Sequence, residues 1–214
     1  MKKGLLLLLV SLFAVSALSA QDVDILRRKY SQISFGKNTV KLDDWKMKSD
    51  FAINYTNGFT FYLHEEEVID LFRFAIDATW TDFTYAKYTR TLPLEDKNKD
   101  YRFHQFDYAL NVGPSAHINP VDDLYVHTYF RYAPAYSLLT GDKQIYGNYA
   151  TYFVTGFSVS YRFIALGFEG RFGNCNYKNL ASAKRIEELK PHPANVIDQR
   201  VKHRGWRVYL SFMF

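Results

Sequence analysis

The chain ends on Gly205-Trp206-Arg207-Val208-Tyr209-Leu210-Ser211-Phe212-Met213-Phe214. Apolar residues occupy Trp206, Val208, Leu210, Phe212 and Phe214, every second position, while Arg207, Tyr209, Ser211 and Met213 fill the other phase. That period belongs to a β-strand. At the edge of a water-soluble sheet, such an aromatic strand would invite pairing with other chains. A closed transmembrane barrel has no edge, and its strands alternate lipid-facing with lumen-facing residues. The stretch therefore predicts one wall strand of a membrane barrel.

Upstream the same alternation recurs between turn signals. Phe51, Ile53, Tyr55, Phe59, Phe61 and Leu63 share one phase, interrupted by Asn57-Gly58, a strong two-residue hairpin signal. Phe72, Phe74, Ile76, Ala78 and Trp80 oppose Arg73, Asp77 and Thr79; Phe106, Tyr108, Leu110 and Val112 oppose Gln105, Asp107 and Asn111. Leu124 to Tyr132, Phe153 to Val159 and Ile164 to Phe172 continue the pattern. Short connections, Gly113 to Asp123 and Arg162-Phe163, alternate with long ones at Lys87 to Asp100, Leu138 to Asn148 and Asn174 to Gly205, the last with a short helix expected around Ser182 to Leu189. Short periplasmic turns and long extracellular loops explain that alternation. With both termini periplasmic the strand number is even. A hairpin at Asn57-Gly58 supplies the eighth strand; the alternative places it within Ser31 to Leu42. The expected fold is all-β, an antiparallel up-and-down transmembrane barrel of about eight strands over residues 46–214.

Composition agrees. Among 214 residues, 18% are aromatic, including 17 Tyr and 18 Phe, the excess that two interfacial girdles require. Residues 1–20 read as an export signal: basic Lys2 and Lys3, apolar Leu5 to Val15, then small Ser16, Ala17, Ser19 and Ala20. Their removal lowers the formal charge from +5 to +3, which leaves no nucleic-acid footprint. In 21–45, Val23, Leu26, Tyr30 and Ile33 have helical spacing behind Asp22, so a periplasmic helix and linker are expected. Cys175 is alone and reads as a small buried residue.

An eight-stranded barrel is narrow enough for side chains to fill it. The inward phase offers Arg73, Arg131, Arg171 and Arg207 against Asp77, Asp107 and Glu169. Buried charges must be paired, so an interior ion-pair network is expected, with a ladder for a narrow anion path as the alternative. The last long loop is basic, and Lys184, Arg185, Arg200, Lys202 and Arg204 are candidate contacts for lipopolysaccharide phosphates. No metal or cofactor is implied. His104, His117, His127, His192 and His203 are scattered without a nucleophile and orienting group that strand geometry brings together. His127 is the one candidate for a lipid-modifying enzyme, the least favoured function.

The terminal strand also resembles the signal by which outer-membrane barrels are recognised for assembly: Arg207, Phe212 and Phe214 match it, and Tyr209 stands where glycine is usual. Over roughly Lys46 to Phe214 the chain resembles the small OmpA/OmpX-like barrels. Tyr146-Gly147-Asn148-Tyr149 and Phe130-Arg131-Tyr132-Ala133-Pro134 resemble wording in uncharacterised Bacteroidetes-type outer-membrane barrels. The resemblance implies export to the outer membrane of a Gram-negative bacterium, contact with its lipid and lipopolysaccharide, and assistance from the barrel-assembly machinery. It brings no active site. The expected function is a structural or surface-interaction role through the extracellular loops; the alternative is a narrow porin-like channel.

Overall fold

The computed structural model describes residues 27–42, 45–64, 68, 71–94, 97–121, 123–141, 144–182 and 200–214. Its strands are β1 (Arg27–Leu42), β2 (Trp45–Tyr62), β3 (Phe72–Leu94), β4 (Lys97–Val121), β5 (Leu124–Gly141), β6 (Gln144–Tyr161), β7 (Ile164–Asn176), β8 (Lys178–Ser182) and β9 (Arg200–Met213). Beyond Tyr177, β8 continues β7 along β6, so the wall has eight staves. Every neighbouring pair is antiparallel, and the ring closes where β1 meets β9 and β5 meets β6. Backbone hydrogen bonds between Lys29 and Phe214, at 2.9 and 2.8 Å, fasten the seam where both ends of the described chain meet.

Side chains are distributed inside out. Phe35, Trp206, Leu166 and Phe130 face outward, Leu166 at 62% exposure, whereas Asp77 and Glu169 are wholly buried and Arg131 is 1% exposed. Water would penalise such an exterior, while hydrocarbon accepts it and needs every backbone group paired within a closed ring.

Several expectations are corrected. The segment expected as a periplasmic helix is strand β1 from Arg27 onward. Its inward residues, Tyr30, Gln32 and Ser34, are polar or amphipathic, so the outward Ile33 and Phe35 show no clean apolar alternation in sequence. The barrel thus starts before residue 46, and the eighth stave lies in β1, the place held as the alternative. Asn57-Gly58 makes no hairpin but lies within β2, opposite Ser31 and Tyr30. Glycine is required there because a Cβ on Gly58 would meet the Tyr30 hydroxyl at 2.7 Å and the Ala78 carbonyl at 2.5 Å. The segment Gly113 to Val121 extends β4, leaving a tight turn at Asp123, which has φ 64°, before β5 begins. At the second tight turn Arg162 has φ 55° and its side chain pairs with Asp123, Nε to Oδ2 at 3.1 Å. Much of the expected long loops at Lys87 and Leu138 is instead strand, because β3 to β6 run on as paired ribbons. The export signal at 1–20, residues 21–26 and the helix expected near 182–189, beyond Ser182, lie outside the described residues.

Two bulges set which residues enter the lumen. In β2, Asp50 and Phe51 both face out; in β3, Trp80 and Thr81 do. Each extra residue reverses the in-out phase of the rest of its strand. Odd residues of β3 point inward up to Thr79, and even residues from Asp82 onward.

Candidate functional site

The polar lumen is built in tiers. In the lowest, Asp77 accepts hydrogen bonds from Thr60 Oγ1 at 2.8 Å, Ser115 Oγ at 3.0 Å and Arg131 Nε at 3.0 Å. The Arg131 guanidinium lies 3.7 Å from the ring centre of Tyr129, a cation–π contact that shields its charge from the wall. In the middle tier Arg207 bridges two acids: Nη2 is 3.1 Å from Asp82 Oδ2, and Nε donates to Glu169 Oε1. Asn111 donates to Asp82 at 2.8 Å and Tyr129 to Glu169 at 2.6 Å. Above them Asp107 accepts from Gln105 Nε2 at 2.9 Å and from Ser137, with Arg171 Nη1 at 3.3 Å. Arg171 lies 3.8 Å over the ring of Tyr152. Ion pairs this deeply buried depend on further hydrogen bonds. Those to the Asp77, Asp82, Asp107 and Glu169 carboxylates are made, whereas Arg131 Nη1 and Arg171 Nε and Nη2 meet no hydrogen-bond partner among the described residues.

Asp77, Asp107, Arg131, Glu169, Arg171 and Arg207 therefore all lie inside. Arg73 does not join them: half-buried near the lower mouth, it stacks 3.9 Å over Tyr62 and donates to the His64 carbonyl at 3.3 Å. The residue that alternation missed is Asp82. Counted from Asp77 it falls in the outward phase, and only the Trp80-Thr81 bulge turns it inward. An acid one step out of phase, just after the outward Trp80, was the available signal.

Toward the long-loop end the polar tiers give way to an apolar layer. Val40, Met47, Phe103, Leu139, Tyr146 and Val201 are all buried within one cluster that reaches Tyr88, Tyr152 and Tyr177 below. Cys175 belongs to this cluster, 1% exposed and unbridged. A small cavity of about 10 Å³ remains beside Arg171, Tyr152, His203 and Gly205, and a second of about 10 Å³ beside Tyr30, His117, His127 and Arg131; each has room for about one water molecule at most.

His127 does acquire an acidic neighbour, contrary to expectation: Nε2 lies 3.2 Å from Asp77 Oδ2, and the ring stacks on His117 at 4.1 Å. Among the described residues Asp77, His117 and His127 are the group whose ligand atoms, within 4.8 Å of one another, could hold a metal ion. Both carboxylate oxygens of Asp77 already serve Thr60, Ser115 and Arg131. The imidazoles lie face to face at 19°, so their in-plane lone pairs do not converge. The trio packs the lumen floor. Nor does it assemble a nucleophile with its base, since Ser115 bonds the carboxylate and not an imidazole.

Of the candidate lipopolysaccharide contacts, Arg200, Lys202 and Arg204 are exposed along one outward row of β9, directly beyond Trp206. Lys184 and Arg185 lie outside the described residues. Arg207 and Phe212 sit on β9, with Phe214 at the seam.

Closed eight-stranded wall, apolar exterior and charged, filled interior together define the small outer-membrane barrel fold. No family model matches the chain, and no curated protein matches its sequence. Solved structures do. Neisserial surface protein A is 11% identical with a TM-score of 0.46, covering 87% of this chain and 97% of that one. Ail, the attachment invasion locus protein of Yersinia pestis, is 9% identical with a TM-score of 0.44, covering 87% and 98%. The outer membrane enzyme PagL is 10% identical with a TM-score of 0.43, covering 85% and 97%.

Proposed function

We propose that the protein is an integral outer-membrane barrel with a sealed lumen, acting at the cell surface through its long-loop end in a structural or surface-interaction role. The sealed lumen carries this reading. Among the described residues, three buried arginines face four buried acids in hydrogen-bonded tiers, and an apolar layer lies across them, so no continuous polar path is left for a hydrated solute. A porin-like channel needs that path. Basic residues at the same end, Arg200, Lys202 and Arg204 among them, contact the phosphates of lipopolysaccharide. The assembly machinery acts during biogenesis on the strand that carries Arg207, Phe212 and Phe214.

Orientation and location are tested together on intact cells. In a Cys175→Ser background, a cysteine in place of the exposed Lys178 is expected to react with a membrane-impermeant maleimide, and one in place of Asp123 is not. The reverse pattern, or a protein that fractionates away from membranes, overturns the reading.

A further inference from the structure

The exterior carries a feature that neither the apolar belt nor the lumen explains. In the hydrogen-bonded register, Lys46 of β2 faces Lys41 of β1, and Lys41 faces Lys202 of β9. One step nearer the belt, Lys48 faces Thr39, and Thr39 faces Arg204. All five cations are exposed. Neighbouring strands lie about 4.8 Å apart and alternate residues along a strand about 7 Å apart, so these charges share a patch on the order of 10 Å across. Lys37 and Arg200 flank it on the same staves. No described carboxylate pairs with any of these cations: the described acid nearest to them in sequence, Asp50, accepts from Thr89 Oγ1 at 2.7 Å, and Asp43 and Asp44 lie outside the described residues. Like charges directly opposed across strands destabilise a sheet, and here three lysines stand in one row.

We propose that this wall of β2, β1 and β9 is a binding site for the phosphates of an anionic lipid in the surrounding leaflet. The inference rests on the membrane reading above and deepens it, moving the contact from the loops onto the wall. Position selects a lipid over a soluble polyanion. Immediately below the cations, on the same three strands, Phe35 is 58% exposed, Trp206 49% and Phe51 40%. A phosphate held by the two rows thus has its acyl chains laid along these aromatic side chains. Lysines supply point charges, and Arg204 supplies the planar fork that grips a phosphate through two parallel hydrogen bonds. Closely spaced cations fit a headgroup with more than one phosphate.

The test uses the full barrel, folded in zwitterionic nanodiscs and checked by heat-dependent gel mobility. Bisphosphorylated lipid A, its dephosphorylated form and soluble polyphosphate are each titrated and followed by native mass spectrometry. The wall variant is Lys41→Gln, Lys46→Gln, Lys202→Gln, Arg204→Gln; all four side chains are exposed, so the barrel still folds. The comparison variant, Arg27→Gln with Lys29→Gln, removes charge from the opposite end. Wild type and the comparison variant are expected to retain the bisphosphorylated lipid alike, and the wall variant to bind it at least about tenfold more weakly. Equal retention by the wall variant overturns the site, as does equal binding of the dephosphorylated lipid. Polyphosphate competing as well as the lipid overturns the choice of occupant. A barrel that never enters the bilayer defeats the membrane reading instead, so the two failures are distinguishable.

Discussion

Inside and outside, the barrel treats positive charge in opposite ways. Within the lumen Arg131, Arg171 and Arg207 each touch a carboxylate, and Arg131 and Arg171 also cover an aromatic ring. On the wall Lys41, Lys46, Lys48 and Lys202 touch no described acid, and Lys41 faces both Lys46 and Lys202. Desolvation accounts for the difference. A buried guanidinium without a partner is too costly to keep, so the interior is self-contained, whereas an exposed lysine stays hydrated and free to meet something from outside. The lumen therefore holds the barrel together, and the wall is where chemistry from elsewhere can enter.

The comparison breaks most readily from the inside. Asp82→Ala leaves Arg207 paired with Glu169 but removes an acceptor shared by Arg207, Asn111 and Asn54, so that buried donors lose their partner, with an expected loss of about 2–4 kcal/mol. Urea unfolding in lipid vesicles measures it; a loss under about 1 kcal/mol would show that the tier is hydrated and not sealed. Replacing Asp77 and Arg131 together with Leu and Met should destabilise less than Asp77→Ala alone, since a removed pair leaves no orphan charge. Next comes packing. Gly167 faces the ring of Tyr209, and a Cβ there would lie 2.2 Å from Tyr209 Cζ; Gly167→Val is expected to cost about 1–3 kcal/mol by the same unfolding measurement. Smallest is the wall: Lys41→Gln with Lys202→Gln should leave stability in phosphate-free lipid within about 0.5 kcal/mol of wild type or raise it. A loss of about 2 kcal/mol or more there would make the wall cations structural.

How much of this the sequence showed depends on whether the chain obeyed a strict two-residue period. Where it did, in β4, β5, β7 and β9, both faces were legible, and Asp107, Arg131, Glu169, Arg171 and Arg207 could be assigned inward from spacing alone. Asp82 was hidden by one extra residue at Trp80-Thr81, a slip that alternation cannot detect without the partner strands. Strand β1 was hidden for another reason: Tyr30 and Ile33 are spaced like a helix face, and only closure against β9 makes them parts of opposite surfaces. Asn57-Gly58 carries a true turn preference, overridden because the Tyr30 hydroxyl needs the space beside Gly58. The wall site was half visible, since Lys202 and Arg204 stood out as basic, but register alone brings Lys41 and Lys46 beside them.

Conductance tests the sealed lumen most directly. Folded protein, verified by heat-dependent mobility, is placed in planar bilayers beside a variant carrying Arg131→Gln and Arg171→Gln. A barrel filled by ion-pair tiers and an apolar layer is expected to remain silent across voltage while wild type stays fully folded. Discrete, reproducible openings of wild type, with an ion preference that changes in the variant, would contradict it and make the interior a path.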